Sequence, residues 1–91
     1  MFKASKEFKI ENQFKGRFIH KLVYFISNFK SDIYIEKDNR TVNAKSIIGI
    51  LSLNIKPGDT ILIKVFNNMS ENEAEEALKS ITYFLKDKDN L

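Results

Sequence analysis

Polar and apolar residues alternate over KEFKIE (6–11), which places Phe8 and Ile10 on one face and predicts a strand. After a short polar link the period changes. From Arg17 to Phe29 the apolar positions are 18, 19, 22, 23, 25, 26 and 29, and spacings of three and four predict an amphipathic helix. DIYIEK (32–37) returns to a period of two, with Ile33 and Ile35 on one side and Tyr34 opposite. Asp38-Asn39 is a two-residue turn candidate, so RTVNA (40–44) is expected as the return strand of a hairpin. SIIGILSL (46–53) is short and apolar. Its spacing would suit a strand, but Ser46 as N-cap and Asn54 as a left-handed C-cap favour a short helix. Lys56-Pro57-Gly58-Asp59 reads as a turn, because proline presets φ and glycine accepts positive φ. DTILIKVF (59–66) is the strongest strand signal, with Ile61, Ile63 and Val65 sharing a face. Ser70 and Glu73 have capping-box spacing, and Ala74, Ala77, Leu78, Ile81, Tyr83, Phe84 and Leu85 carry a helix to about Lys86.

The predicted order β-α-β-β-α-β-α implies an α+β fold, a four-stranded antiparallel sheet with three helices on one face. A chain of 91 residues without repeats, linkers or low-complexity runs is expected to form one domain over 1–91. The apolar runs, such as IIGIL, are too short to span a bilayer. MFKASKEFK carries charges where a signal peptide needs an apolar stretch. A cytoplasmic protein with no membrane insertion is therefore expected.

Composition removes several chemistries. The chain has no cysteine, which excludes disulfides, thiolate metal sites and cysteine nucleophiles. It has one histidine, and no carboxylates cluster at ligand spacing, so neither a metal nor a cofactor is expected. The net charge of +3 is unevenly spread. Residues 1–21 hold six basic and two acidic groups, whereas residues 70–91 hold three basic and six acidic ones. The basic groups lie scattered along separate predicted elements and form no dense stripe, which argues against direct nucleic-acid binding.

The candidate chemistry lies in two segments. In FKGRFIHKLV (14–23), Lys15 and Arg17 flank a glycine where the first helix is expected to start. Free backbone N–H groups at a helix start, with two cations beside them, attract anions. The histidine, His20, falls inside the first turns of that helix, where it and Tyr24 share a face different from that of Leu22 and Ile26. The second segment is Ser46 with its short helix, of which Ile47, Ile48 and Leu51 form one side. For each of these residues a plain structural role stands beside the functional one. Ser46 serves as an N-cap, Ile47 and Leu51 as core, and Lys15 as an exposed loop lysine.

The segment TVNAKSIIGILSLNIKPGDTILI (41–63) resembles HPr, the small phosphocarrier of the bacterial sugar phosphotransferase system. The family places a regulatory serine in a run like Asn43-Ala44-Lys45-Ser46-Ile47-Ile48-Gly49, ahead of a leucine-rich short helix, a glycine turn and a strand. The resemblance reaches FKSDIYIE (29–36) and ENEAEEAL (71–78), and it implies the HPr-like open-faced sandwich. It also implies a phosphocarrier site reading apolar-His-Ala-Arg-Pro-Ala. Anchoring on Leu22-Val23 sets Phe14, Lys15, Gly16, Arg17, Phe18 and Ile19 on those six positions. Arginine is kept as Arg17, while Lys15 stands where the histidine is expected and Phe18 where the proline is. A phosphocarrier needs a neutral ring nitrogen near pH 7. A lysine side chain is neutral at that pH in only about one molecule in 2,500.

The resemblance therefore implies a non-enzymatic regulatory binding protein, similar to the HPr-like catabolite-repression proteins. Ser46 would be phosphorylated by HPr kinase/phosphorylase. Lys15, Arg17, His20, Tyr24, Lys45, Ile47, Ile48 and Leu51 would contact partners. Those partners would be the kinase, a catabolite-control transcriptional regulator or a metabolic enzyme, and enzyme I. The alternatives are a working phosphocarrier that uses His20 or Lys15, and an interaction module in which Ser46 is not modified.

Overall fold

The computed structural model describes residues 1–87. The elements follow the expected order: β1 (Phe2–Lys9), α1 (Gly16–Ile26), β2 (Asp32–Lys37), β3 (Arg40–Asn43), α2 (Ile47–Ser52), β4 (Thr60–Asn67) and α3 (Glu71–Lys86). Lys88 and Asp89, which count toward the acidic balance of the C-terminal segment, lie outside the described residues.

The strands form one antiparallel sheet in the order β1-β4-β2-β3. Its register sets one alternate row inward. Ile33, Ile35, Ile61, Ile63 and Val65 are all buried and meet Leu22 and Ile26 of α1 and Ile81 of α3 in one core cluster. The opposite row leaves Tyr34, Glu36, Leu62, Lys64 and Phe66 partly exposed on the open face of the sheet. There Lys64 Nζ donates to Glu36 Oε1 at 2.7 Å, and Tyr34 meets Phe66 edge-on at 5.9 Å. The Lys64 hydrogen bond, followed by one from Thr41, holds the Glu36 carboxyl below its ordinary range.

Several boundaries differ from the sequence pattern for local reasons. β1 begins four residues earlier than 6–11, because Phe2 to Lys9 pair with Asn67 to Thr60 along the whole of β4. It stops before Ile10, whose N–H turns to the Asp59 carbonyl. α1 ends at Ile26 and not at Phe29. Ser27 Oγ donates back to the Val23 carbonyl, and the Asn28 and Phe29 amides close the last turn on Phe25 and Ile26. The Asp38-Asn39 turn has φ of 52° and 66°, the pair of left-handed residues that a type I′ hairpin requires.

α3 carries two corrections. Ser70 Oγ accepts from the Glu73 amide as a capping box would have it, but the Ser70 N–H donates to Asn67 Oδ1 and not to the Glu73 side chain. Tyr83, read as part of the apolar stripe, is 74% exposed, because the inward face is filled by Ala74, Ala77, Leu78, Ile81 and Leu85.

Phenylalanines join the helices. Phe14 packs on Phe18, Phe18 on Phe84, Phe84 on Phe25, and Phe25 on Phe29, with ring centroids 4.6–5.9 Å apart. Phe14 and Phe18 are buried, so the loop ahead of α1 is anchored from both sides of Lys15 and Arg17.

A buried polar node fixes the approach to α3. Asn67 accepts at Oδ1 from the Met69 and Ser70 amides, and its Nδ2 donates to the buried Ser31 hydroxyl. Asn67→Ala removes all three bonds at once and leaves the buried Ser31 hydroxyl without this partner. The variant is expected to lose about 2 kcal/mol of stability. A thermal melt should show this as a drop of roughly 10 °C in Tm; an unchanged melting curve would show that the node has no energetic weight.

Candidate functional site

The first candidate segment lies at the start of α1. Lys15 is the N-cap, with extended backbone (φ −124°, ψ 175°) and no side-chain hydrogen bond to the helix. The first amide with a backbone partner is that of Ile19, which donates to the Lys15 carbonyl. The Gly16, Arg17 and Phe18 amides thus precede the intrahelical ladder. No acidic residue sits in the first turn, and Lys15 and Arg17 are both exposed. Among the described residues, the arrangement is a positive helix end whose first turn carries no acidic side chain.

His20 lies past these donors, inside the ladder, with its side chain on the exposed face of α1. Tyr24 follows one turn later and is 76% exposed. The two residues lie one helical turn apart on the same exposed side, as the spacing predicts.

The second segment is α2. Ser46 is its N-cap, in extended conformation (φ −109°, ψ 115°), and its Oγ accepts from the Gly49 amide at 3.0 Å. The Ser46 amide donates to the Asn43 carbonyl, and the Ile50 amide closes the first turn on the Ser46 carbonyl. On the helix surface Ile48 is 81% and Leu51 51% exposed, while Ile50 is buried. Ile47 is half-buried against the core. The side that the spacing grouped as Ile47, Ile48 and Leu51 is therefore divided: Ile47 leans inward, and Ile48 and Leu51 face solvent.

Lys45 adjoins Ser46 in sequence, but its ammonium donates to the Phe29 carbonyl at 2.7 Å. It ties the beginning of α2 to the C-terminal end of α1. Lys15 and Arg17 are at the other end of that helix, about 15 Å away along its axis. α1 and α2 contact each other directly.

The far end of α2 is gripped by the β2–β3 hairpin. Lys37 Nζ donates to the carbonyls of Leu53 and Asn54 and pairs with Asp59 Oδ2 at 2.9 Å. Arg40 donates to the Ser52 carbonyl at 2.9 Å and approaches the Ser52 hydroxyl. Asn54 follows with φ 50°, the left-handed conformation expected of it. The hairpin cations were absent from the candidate residues. Their signal was the presence of Lys37 and Arg40 on either side of a tight turn, which becomes informative only once the hairpin is laid against α2.

The structure is thus an open-faced sandwich with one unblocked basic helix start and one serine-capped short helix on the side carrying α1 and α2. A family model described as "PTS HPr component phosphorylation site" matches residues 4–87. The chain belongs to the PTS HPr family. It is 41% identical over 78 residues to the HPr-like protein Crh of Halalkalibacterium halodurans, which covers 86% of this chain and 92% of that protein. It is 32% identical to the HPr-like protein Crh of Bacillus subtilis over the same length, covering 86% and 91% of the two chains. Its fold superposes on the crystal structure of a phosphocarrier protein HPr from Bacillus anthracis with a TM-score of 0.81, at 37% identity, covering 90% of this chain and 95% of that one. Among the described residues no helix is long and apolar enough to cross a membrane.

The Asp59 end of the α2 clamp is pH-sensitive. The Lys37 hydrogen bond first, and the Lys56 amide next, hold the Asp59 carboxyl below its ordinary value of 3.8. A depressed folded-state pKa stabilises the fold above the unfolded value, and that contribution is lost as pH falls through the folded one. In an acid titration followed by NMR, the Lys56 amide is expected to move with a midpoint below pH 3.8, and the transition to vanish in Asp59→Asn. A midpoint at or above that value would refute the clamp.

Proposed function

We propose that this chain is a regulatory binding protein of the PTS HPr family, a single cytoplasmic domain that is switched at Ser46 and does not relay phosphate through histidine. The observation that carries the reading is the setting of Ser46. Its hydroxyl caps a helix whose other end is held independently by Lys37 and Arg40, and Ile48 and Leu51 stand exposed beside it. A phosphate added there brings about −1.5 to −2 charges to the positive end of a helix, a position that favours anions and does not demand refolding. The change is then read at the surface, by a partner whose apolar centre meets Ile48, Leu51 and Tyr24 and whose rim complements the added charge.

Lys15 supports the second half of the reading. Aligned on Leu22-Val23, it takes the position of the phosphocarrier histidine, and an ammonium has no lone pair to offer phosphorus. Lys15 and Arg17 remain suited to holding a carboxylate or phosphate of a partner. His20 has the exposure that a relocated acceptor would need, but it lies beyond the Gly16, Arg17 and Phe18 amides that would stabilise its phosphate. The Crh relatives favour the same assignment. The partners we infer are HPr kinase/phosphorylase for Ser46, then a catabolite-control transcriptional regulator or a metabolic enzyme. Enzyme I is a further candidate for the α1 surface. The protein itself is not an enzyme in this reading.

Intact-mass measurement tests both halves. Incubation with HPr kinase and ATP is expected to add one acid-stable phosphate, absent in Ser46→Ala. Incubation with enzyme I and phosphoenolpyruvate is expected to add none. An acid-labile phosphate in the second reaction would instead establish a working phosphocarrier.

A further inference from the structure

Gly49 is the third residue of α2, and no conformational demand explains it. Glycine is the weakest helix former after proline. Gly49 does not have positive φ; among the described glycines that holds for Gly58 alone. What sets Gly49 apart is its surroundings. A Cβ there would stand 3.3 Å from Ser46 Oγ, 3.4 Å from Ser46 Cβ and 3.2 Å from Val42 Cβ. The residue at this position in a capping box is usually Glu or Gln, whose side chain reaches back over the cap. Here the Ser46 amide is satisfied by the Asn43 carbonyl, so no such side chain is needed. The Ser46 hydroxyl receives one hydrogen bond, from the Gly49 amide, and the flank beside it is left open.

We propose that Gly49 is a positioning residue for modification of Ser46, keeping clear the space through which a phosphoryl group reaches the hydroxyl. The proposal rests on Ser46 being the modified residue. In the transfer, the Ser46 Oγ–phosphorus bond forms as the bond from the γ-phosphorus of ATP to its bridging oxygen breaks. ADP leaves with the electron pair, and the hydroxyl proton passes to a base on the kinase. The incoming group carries three oxygens onto Oγ. A methyl already tight against Oγ in the resting helix is driven into overlap by that addition. Val42 Cβ, 3.2 Å from the same point, leaves it little room to shift away. The exposed docking residues Ile48 and Leu51 are untouched by a methyl at position 49, so the barrier falls on the transfer step and not on association.

The test measures steady-state phosphorylation of the full chain by HPr kinase and ATP, together with thermal unfolding. Gly49→Ala is expected to stay folded, to keep KM for the protein near that of the parent, and to lower kcat by about tenfold or more. Val42→Gly/Gly49→Ala removes the Val42 Cβ that a methyl at position 49 would meet, but leaves that methyl beside Ser46; it is expected to show the same loss in kcat. A folded variant that accepts phosphate at the parental rate overturns the proposal. Loss of fold in both variants also overturns it, since Gly49 then serves packing against Val42 alone. If the parent takes no phosphate that Ser46→Ala removes, the Ser46 reading itself fails, which is a separate result.

Discussion

A six-residue helix does not hold itself together in water, because the few hydrogen bonds it makes do not offset the cost of nucleating it. α2 exists because other parts of the chain supply what its own length cannot. Ser46 takes up a free amide at one end. Lys37 and Arg40 take up three free carbonyls at the other. A surface helix that frayed would present neither a fixed serine nor a fixed pair of apolar side chains. The Lys37 ammonium lies partly buried, and it is tolerated because carbonyl oxygens and a carboxylate surround it.

The same logic separates the two helix starts. α1 is longer and has the core beneath it, with Phe18, Ile19, Leu22, Val23 and Ile26 buried along one side. It does not depend on a cap: the side chain of its N-cap, Lys15, makes no hydrogen bond to the helix. α2 uses its cap residue as a structural part. In the proposed reading, a phosphate on Ser46 would fall on a group that already has a structural role, at a cap position where negative charge is favoured.

Much of this fold was legible in the chain, for identifiable reasons. β2, β4 and α3 were readable because their burial is one-sided: Ile33 with Ile35, and Ile61, Ile63 and Val65, alternate strictly against polar or half-exposed neighbours. The Ser46 cap and the left-handed Asn54 were readable because both depend on local chemistry. The start of β1 was not, since Phe2 to Ser5 have little pattern of their own and become strand by pairing with β4. The roles of Asn67, Lys37 and Arg40 were hidden for the same reason: each is defined by partners distant in sequence, or by a fold of the chain around a turn. The position of the Lys45 ammonium on the Phe29 carbonyl likewise depends on packing between α1 and α2, which spacing does not reveal. At the candidate site, spacing grouped Ile47, Ile48 and Leu51, and packing divides Ile47 from the other two.

The ring-to-ring run from Phe14 through Phe84 to Phe29 bears on how the α1 corner meets whatever binds it. The backbone around Lys15 is immobilised in advance by two buried phenylalanines, and one of them leans on the far helix. A visitor to that corner has only the Lys15 and Arg17 side chains left to order. The entropic toll of association there is therefore confined to a few rotamers and does not extend to a loop.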